Sequence, residues 1–129
     1  MAGPLAGIRV LDLTQVLFGP FATMLLSDLG AEVIKIERPE VGDIARGNGP
    51  VVRGLSTYFL SLNRGKKSVT LNLATERGVE VFLKLAKGAD VLVENFRPGT
   101  MENLGLSYAR IREQNPKIIY VAGSGFGQY

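Results

Sequence analysis

Short runs of branched apolar residues alternate along this chain with stretches whose apolar residues recur every three or four positions, and few folds satisfy that alternation. A chain patterned this way buries its strands under helices, as in a parallel α/β sheet. Residues 8–13 form the first run, which ends in the polar pair Thr14-Gln15. Gly19-Pro20 opens a helix predicted to run to about Leu29. Proline's missing N–H costs nothing in a first turn, and Gly30 suits the stop. Ala22, Leu25, Leu26 and Leu29 form the stripe expected to pack on the sheet. Residues 32–37 alternate charged and apolar side chains as a second strand, closed by Arg38-Pro39. Residues 40–65 carry little periodicity and many glycines, and read as a long irregular stretch of functional or flexible character. Residues 68–73 are a third strand. Thr75 caps a helix whose stripe is Val79, Phe82, Leu83 and Ala86. Residues 90–93 are a fourth strand, followed by two short helices at about 99–104 and 107–114, with Ser107 as a cap, and a fifth strand at 117–122.

The expected fold class is therefore α/β: a Rossmann-like, open, mostly parallel sheet with flanking helices, in a single domain spanning residues 1–129. Such sheets bind ligands at the carboxyl ends of their strands. The segments there are 14–18, 38–39, 73–75, 94–99 and 123–127, rich in glycine, amides and arginine, which suit phosphate and amide recognition. Composition narrows the chemistry. The chain has no cysteine and no histidine, so disulfides, thiolate nucleophiles, Ser-His couples and most transition-metal sites are excluded for this chain alone. It has no secretory pattern at its start and no run of membrane-spanning length, and a cytoplasmic location is the expectation. From Gly42 to Lys67 five cations (Arg46, Arg53, Arg64, Lys66, Lys67) face Asp43 alone, a local excess that reads either as an anion site or as a solvated basic loop. No recognisable nucleic-acid module accompanies it.

The densest cluster of informative residues is ENFRPG at 94–99. Asn95 offers a donor and an acceptor, Phe96 a flat apolar face and Arg97 a charge, a combination that suits an adenine ring with phosphate nearby. The alternative is a plain turn in which Phe96 belongs to the core and Asn95 caps a helix. Arg38, directly after the second strand, stands where nucleotide folds meet the ribose or its phosphate, unless it pairs with Glu37 or Glu40. Asp12 and Asp28 read as structural carboxylates. The GSGFG run at 123–127 has no following helix in view and fails as a dinucleotide fingerprint.

With these residues laid out, the chain resembles the amino-terminal part of a family III CoA-transferase, the CaiB/BaiF family of formyl-CoA and carnitine CoA-transferases and α-methylacyl-CoA racemases. The likeness rests on PLAGIRVLDLT at 4–14, Gly19-Pro20, DLGAEVIKIERP at 28–39, Gly42-Asp43, NRGKKSVTLN at 63–72, ADVLVENFRPG at 89–99 and the segment from Asn115-Pro116 to Gly127. It implies a Rossmann-like domain that binds coenzyme A or acyl-CoA as substrate, a carboxylic acid as the second substrate, an interlocked homodimer, and neither a metal, a nucleic acid nor a membrane partner. By position it implies CoA contacts at Leu17, Phe18, Arg38, Leu71, Asn72, Leu73, Ala74, Asn95, Phe96 and Arg97. Arg38 and Arg97 would lie near the phosphates and Phe96 near adenine.

The sequence departs from the family pattern at two places. Leu17 stands where formyl-CoA transferases carry a glutamine, so formate/oxalate exchange is not implied, and Asn103 stands where some relatives carry an arginine. In the transferases an aspartate forms the acyl anhydride and then an aspartyl-CoA thioester; in the racemases a histidine and an aspartate exchange the α-proton. Both sets lie beyond the position equivalent to Gly127. The resemblance therefore implies a fragment that holds much of a CoA site without the nucleophile. Transfer, racemisation and a non-catalytic CoA-binding module are the three readings left open.

Overall fold

The computed structural model describes residues 3–128. Along the chain it forms β1 (Arg9–Asp12), α1 (Phe18–Asp28), β2 (Glu32–Glu37), a 3-10 turn (Ile44–Gly47), the strand pair β3 (Val51–Val52) and β4 (Leu55–Ser56), then α2 (Thr57–Asn63) and β5 (Lys67–Thr70). α3 (Glu76–Lys87), β6 (Val91–Glu94), α4 (Thr100–Asn103), α5 (Tyr108–Gln114) and β7 (Ile119–Ala122) follow. Five strands make one sheet in the order β5-β2-β1-β6-β7, with every neighbouring pair parallel. β3 and β4 form a separate antiparallel pair. This is the Rossmann-like sheet the sequence implies. Strands are added outward from β1 to β5, and the chain then crosses back to place β6 on the other side of β1. The order therefore reverses between β1 and β6, and a crevice opens there at their carboxyl ends.

The two faces of the sheet are covered unequally. On one, Leu11, Leu13, Ile36 and Leu92 pack beneath Val79, Phe82, Leu83 and Ala86 of α3, joined by Met101 and Ile111. That α3 stripe is the one the helical spacing predicts. Thr75 caps the helix by accepting from Gly78 N, and Ser107 caps α5 by accepting from Arg110 N. On the other face a smaller group, Val10, Val33 and Val93, meets Leu26 of α1.

Three expectations need correction. First, α1 buries Gly19, Pro20, Thr23 and Met24, and leaves Ala22, Leu25 and Leu29 of the expected stripe exposed. The helix is turned by polar anchors: Thr23 Oγ1 lies 2.7 Å from Asp12 Oδ2, and Gly19, where a Cβ would lie 2.5 Å from that of Thr14, lets the backbone come close. Second, residues 40–65 are mostly ordered. Asp43 caps the 3-10 turn by accepting from Ala45 N, and Ser56 caps α2 by accepting from Phe59 N. Those caps are local, but the pairing that fixes the segment is tertiary, so no periodicity announces it. Third, β5 ends at Thr70, and the following residues continue as a loop that lines a crevice.

Candidate functional site

The loop that follows β1 is pinned residue by residue. Thr14 donates from both its backbone N and its Oγ1 to Asp12 Oδ1, at 2.9 and 2.5 Å, and its carbonyl accepts from Lys35 Nζ at 2.7 Å. Gln15 is clasped by the residue that follows β6: its N donates to Asn95 Oδ1 and its carbonyl accepts from Asn95 Nδ2, both at 2.8 Å. Val16 N donates to Asp43 Oδ1 at 3.1 Å. Val16 has φ of 70°, a left-handed conformation that a β-branched residue adopts only where its surroundings force it.

Beneath the loop lie two buried ion pairs, Lys35 with Asp43 and Lys66 with Asp12, each at 2.9 Å. Lys66 Nζ also contacts Thr23 Oγ1, Asn63 Oδ1 and the Pro20 carbonyl. Burial lowers the Lys66 pKa, and the Asp12 charge beside it opposes that shift. Pairs this buried gain little net stability, but they fix geometry because neither partner can be left alone. Next to them Glu37 accepts from Arg46 Nε and Nη2 (2.7 Å each), Ser68 Oγ (2.7 Å) and Asp43 N (2.9 Å). Burial alone would raise the Glu37 pKa, but the hydrogen bonds from Arg46, Ser68 and Asp43 together hold it at about 2. The Arg46 guanidinium stacks on Phe59 at 3.8 Å from the ring centre.

These contacts settle the basic run. Arg46 pairs with Glu37, Arg64 with Asp28, Lys66 with Asp12 and Lys67 with Glu32. Of the five cations only Arg53 has no carboxylate partner among the described residues. Four of the five cations are thus engaged in tertiary ion pairs, those of Arg64 and Lys67 at the surface and that of Lys66 buried. Arg38 behaves oppositely. Glu37 is occupied by Arg46, and Arg38 is exposed with no ion-pair partner among the described residues; Arg97 is likewise exposed and unpaired.

Three adjoining crevices line the switch point. One, of about 330 Å³, is walled by Leu13, Gln15, Ile36, Arg38, Leu71, Asn72, Leu73, Ala74 and Phe96, with Ile44, Thr100 and Leu104. A second, about 420 Å³, is bounded by Gln15, Val16, Leu17, Phe18, Asn95, Phe96 and Arg97. The third, about 350 Å³, runs from Phe18 and Arg97 to the 123–127 glycine loop. Phe96 belongs to all three, and its N donates to Glu94 Oε2 at 2.8 Å. Burial raises the pKa of that carboxyl. All ten residues expected at the CoA site thus lie along one connected surface, Arg38 with residues 71–74 in one crevice and Leu17, Phe18, Asn95 and Arg97 in the next.

The roles within it differ from the sequence reading in detail. Asn95 caps no helix; its carboxamide holds the Gln15 backbone. Phe96 is half-buried, packed on the core on one side and open to the crevices on the other. Gly123 lies against the Phe18 ring, which a Cβ there would approach to 2.7 Å. Gln15 and the apolar wall of Leu13, Ile36, Ile44 and Leu104 were not among the expected site residues. The sequence signals for Gln15 were the polar pair that ends the first apolar run and its place in the 14–18 segment at a strand's carboxyl end.

Comparison with known proteins agrees with this architecture. The family model for CoA-transferase family III matches residues 5–129. The chain is 52% identical over 126 residues to the acetyl-CoA:oxalate CoA-transferase of Acetobacter aceti, covering 98% of this chain and 32% of that protein. It is 55% identical over 126 residues to the succinyl-CoA:glutarate CoA-transferase of Mus musculus, covering 97% of this chain and 29% of that one. A crystal structure of a CAIB/BAIF family protein from Brucella suis superposes with a TM-score of 0.93 at 42% identity, over 100% of this chain and 35% of that chain. The chain thus spans about a third of the length of the relatives it matches. With the sheet order, the clamped loop after β1 and the family match in agreement, the chain belongs to CoA-transferase family III.

Proposed function

We propose that this chain is the CoA-binding portion of an enzyme that transfers CoA between carboxylic acids, with Leu17, Phe18, Arg38, Leu71, Asn72, Leu73, Ala74, Asn95, Phe96 and Arg97 forming the CoA site. The observation that carries the reading is the placement of two exposed cations along the connected crevices: Arg38 on the first and Arg97 on the second have no carboxylate partner among the described residues, whereas Lys35 and Arg46 on either side of Arg38 are paired. CoA is anionic at its nucleotide end and amide-rich and apolar along its arm, which matches cations at the rim and Leu71, Leu73 and Phe96 between them. The acyl donor and acceptor are carboxylic acids and their CoA thioesters.

The chain's own part in the reaction is to bind and orient. Glu37 is the one carboxylate lining the three crevices among the described residues, and Arg46 and Ser68 occupy it. The thioester exchange through an aspartyl-CoA intermediate is accordingly assigned to residues outside this chain. A homodimer belongs to the same reading, supported by the apolar side that α1 leaves uncovered.

Calorimetry with CoA tests the site. Saturable binding should weaken roughly tenfold or more both with 3′-dephospho-CoA and in Arg38→Ala, as expected for loss of a charge-assisted contact. Binding that ignores both changes would remove Arg38 from the phosphate role. A folded chain that binds no CoA would overturn the reading.

A further inference from the structure

The first two crevices meet at Gln15. Its backbone is hydrogen-bonded through both N–H and C=O to Asn95, yet the side-chain carboxamide of this half-buried residue has no partner among the described residues and remains open to solvent. We propose that Gln15 is a specificity-determining residue whose carboxamide hydrogen-bonds an amide or the thioester carbonyl on the pantetheine–acyl arm of CoA, and that Asn95 is the positioning residue that aims it. The inference rests on the CoA reading above.

Three observations support it. A carboxamide at the junction of two crevices with no protein partner is available to a ligand in place of water, and an amide that both donates and accepts is best matched by another amide or a carbonyl. The phosphates have their own partners at the rim in Arg38 and Arg97, so the part of the ligand that reaches the switch point is the arm. Finally, the backbone carrying Gln15 is already ordered. Lys35 holds Thr14, Asn95 holds Gln15, and Asp43 holds Val16 in its strained conformation. Ordering a loop before the ligand arrives removes that cost from binding, and it is the arrangement expected where a side chain must meet one atom of a ligand. Asn95 supplies this from 80 residues away in sequence, through two hydrogen bonds that fix which way Gln15 faces.

The test compares CoA with adenosine 3′,5′-bisphosphate, which lacks the arm, on the 129-residue chain by calorimetry. Gln15→Met keeps side-chain length and removes both hydrogen-bonding groups. It should weaken CoA roughly fivefold to tenfold, the scale of one neutral hydrogen bond, and leave the bisphosphate affinity unchanged. Asn95→Asp keeps the acceptor for Gln15 N and loses the donor to its carbonyl; because Asn95 also lines the CoA site and the change adds a negative charge, it should weaken both ligands, and CoA several-fold more than the bisphosphate. Retained bisphosphate binding also reports that each variant is folded. Equal losses for both ligands would reduce Gln15 and Asn95 to structural roles and overturn the proposal. So would unchanged CoA affinity in Gln15→Met, or a wild type that binds CoA no tighter than the bisphosphate, and both of those leave the CoA reading standing. A wild type that binds neither ligand overturns the CoA reading and this inference with it.

Discussion

Asp43 lines none of the three crevices, yet its carboxylate joins three parts of the site. Oδ1 accepts from Val16 and Ala45, Oδ2 pairs with Lys35, and its own N donates to Glu37. Asp43→Ala leaves a buried ammonium without its counter-charge and should cost about 3–5 kcal/mol, measurable as a lowered urea midpoint. Glu37 gives a pH signature. Its folded pKa of about 2 lies below the ordinary carboxylate value of about 4.5, so its contribution is complete above that ordinary value and fades as pH falls toward 2. The stability gap between wild type and Glu37→Gln should therefore shrink across that window, and a gap that stays constant with pH would contradict the assignment. Arg38 and Phe96 were legible in the sequence because position after a strand, or within a turn, marks them out. The Gln15–Asn95 clasp and the partners of Arg46, Arg64, Lys66 and Lys67 were not, because each depends on residues that only the sheet order brings together.

Among the elements, α1 and α3 show when periodicity can be trusted. The α3 stripe is apolar and faces an apolar sheet, so spacing alone identifies its buried side. The orientation of α1 is set by Thr23 against Asp12 and Lys66, and polar anchors leave no mark in an apolar pattern. The start of α3 adds a steric constraint: Gly78 sits against the Asn72 carbonyl, where a Cβ would overlap backbone that cannot yield cheaply. Gly78→Ala should cost on the order of 1–3 kcal/mol and shift residues 72–74, lowering CoA affinity along with the melting temperature. Normal stability in that variant would mean that the helix slides without cost. The strand ends were legible to within a few residues, but the region from 40 to 65 was not, since its caps serve very short elements whose packing partners lie elsewhere.

Taken whole, the molecule is covered on one face and bare on much of the other. α1 exposes Phe21, Leu25 and Leu29, and β7 adds Ile119 and Val121, which pair with Val91 and Val93 and so share the α1 side of the sheet. Uncovered apolar surface of this kind favours association. The mass measured by light scattering should rise with concentration and fall back toward one chain in a Leu25→Lys, Ile119→Lys double variant. One chain mass at every concentration in the wild type would count against the homodimer.

The clasp between Gln15 and Asn95 also bears on the order of events during synthesis. The central strand and its loop are made early, but the group that fixes the loop emerges 80 residues later, so a nascent chain carries β1 and α1 long before it can shape the crevice. Contacts that close so large a span form slowly and late. Ligand affinity should therefore be acquired in one step, once β6 has docked beside β1, and binding becomes a readout of completed topology.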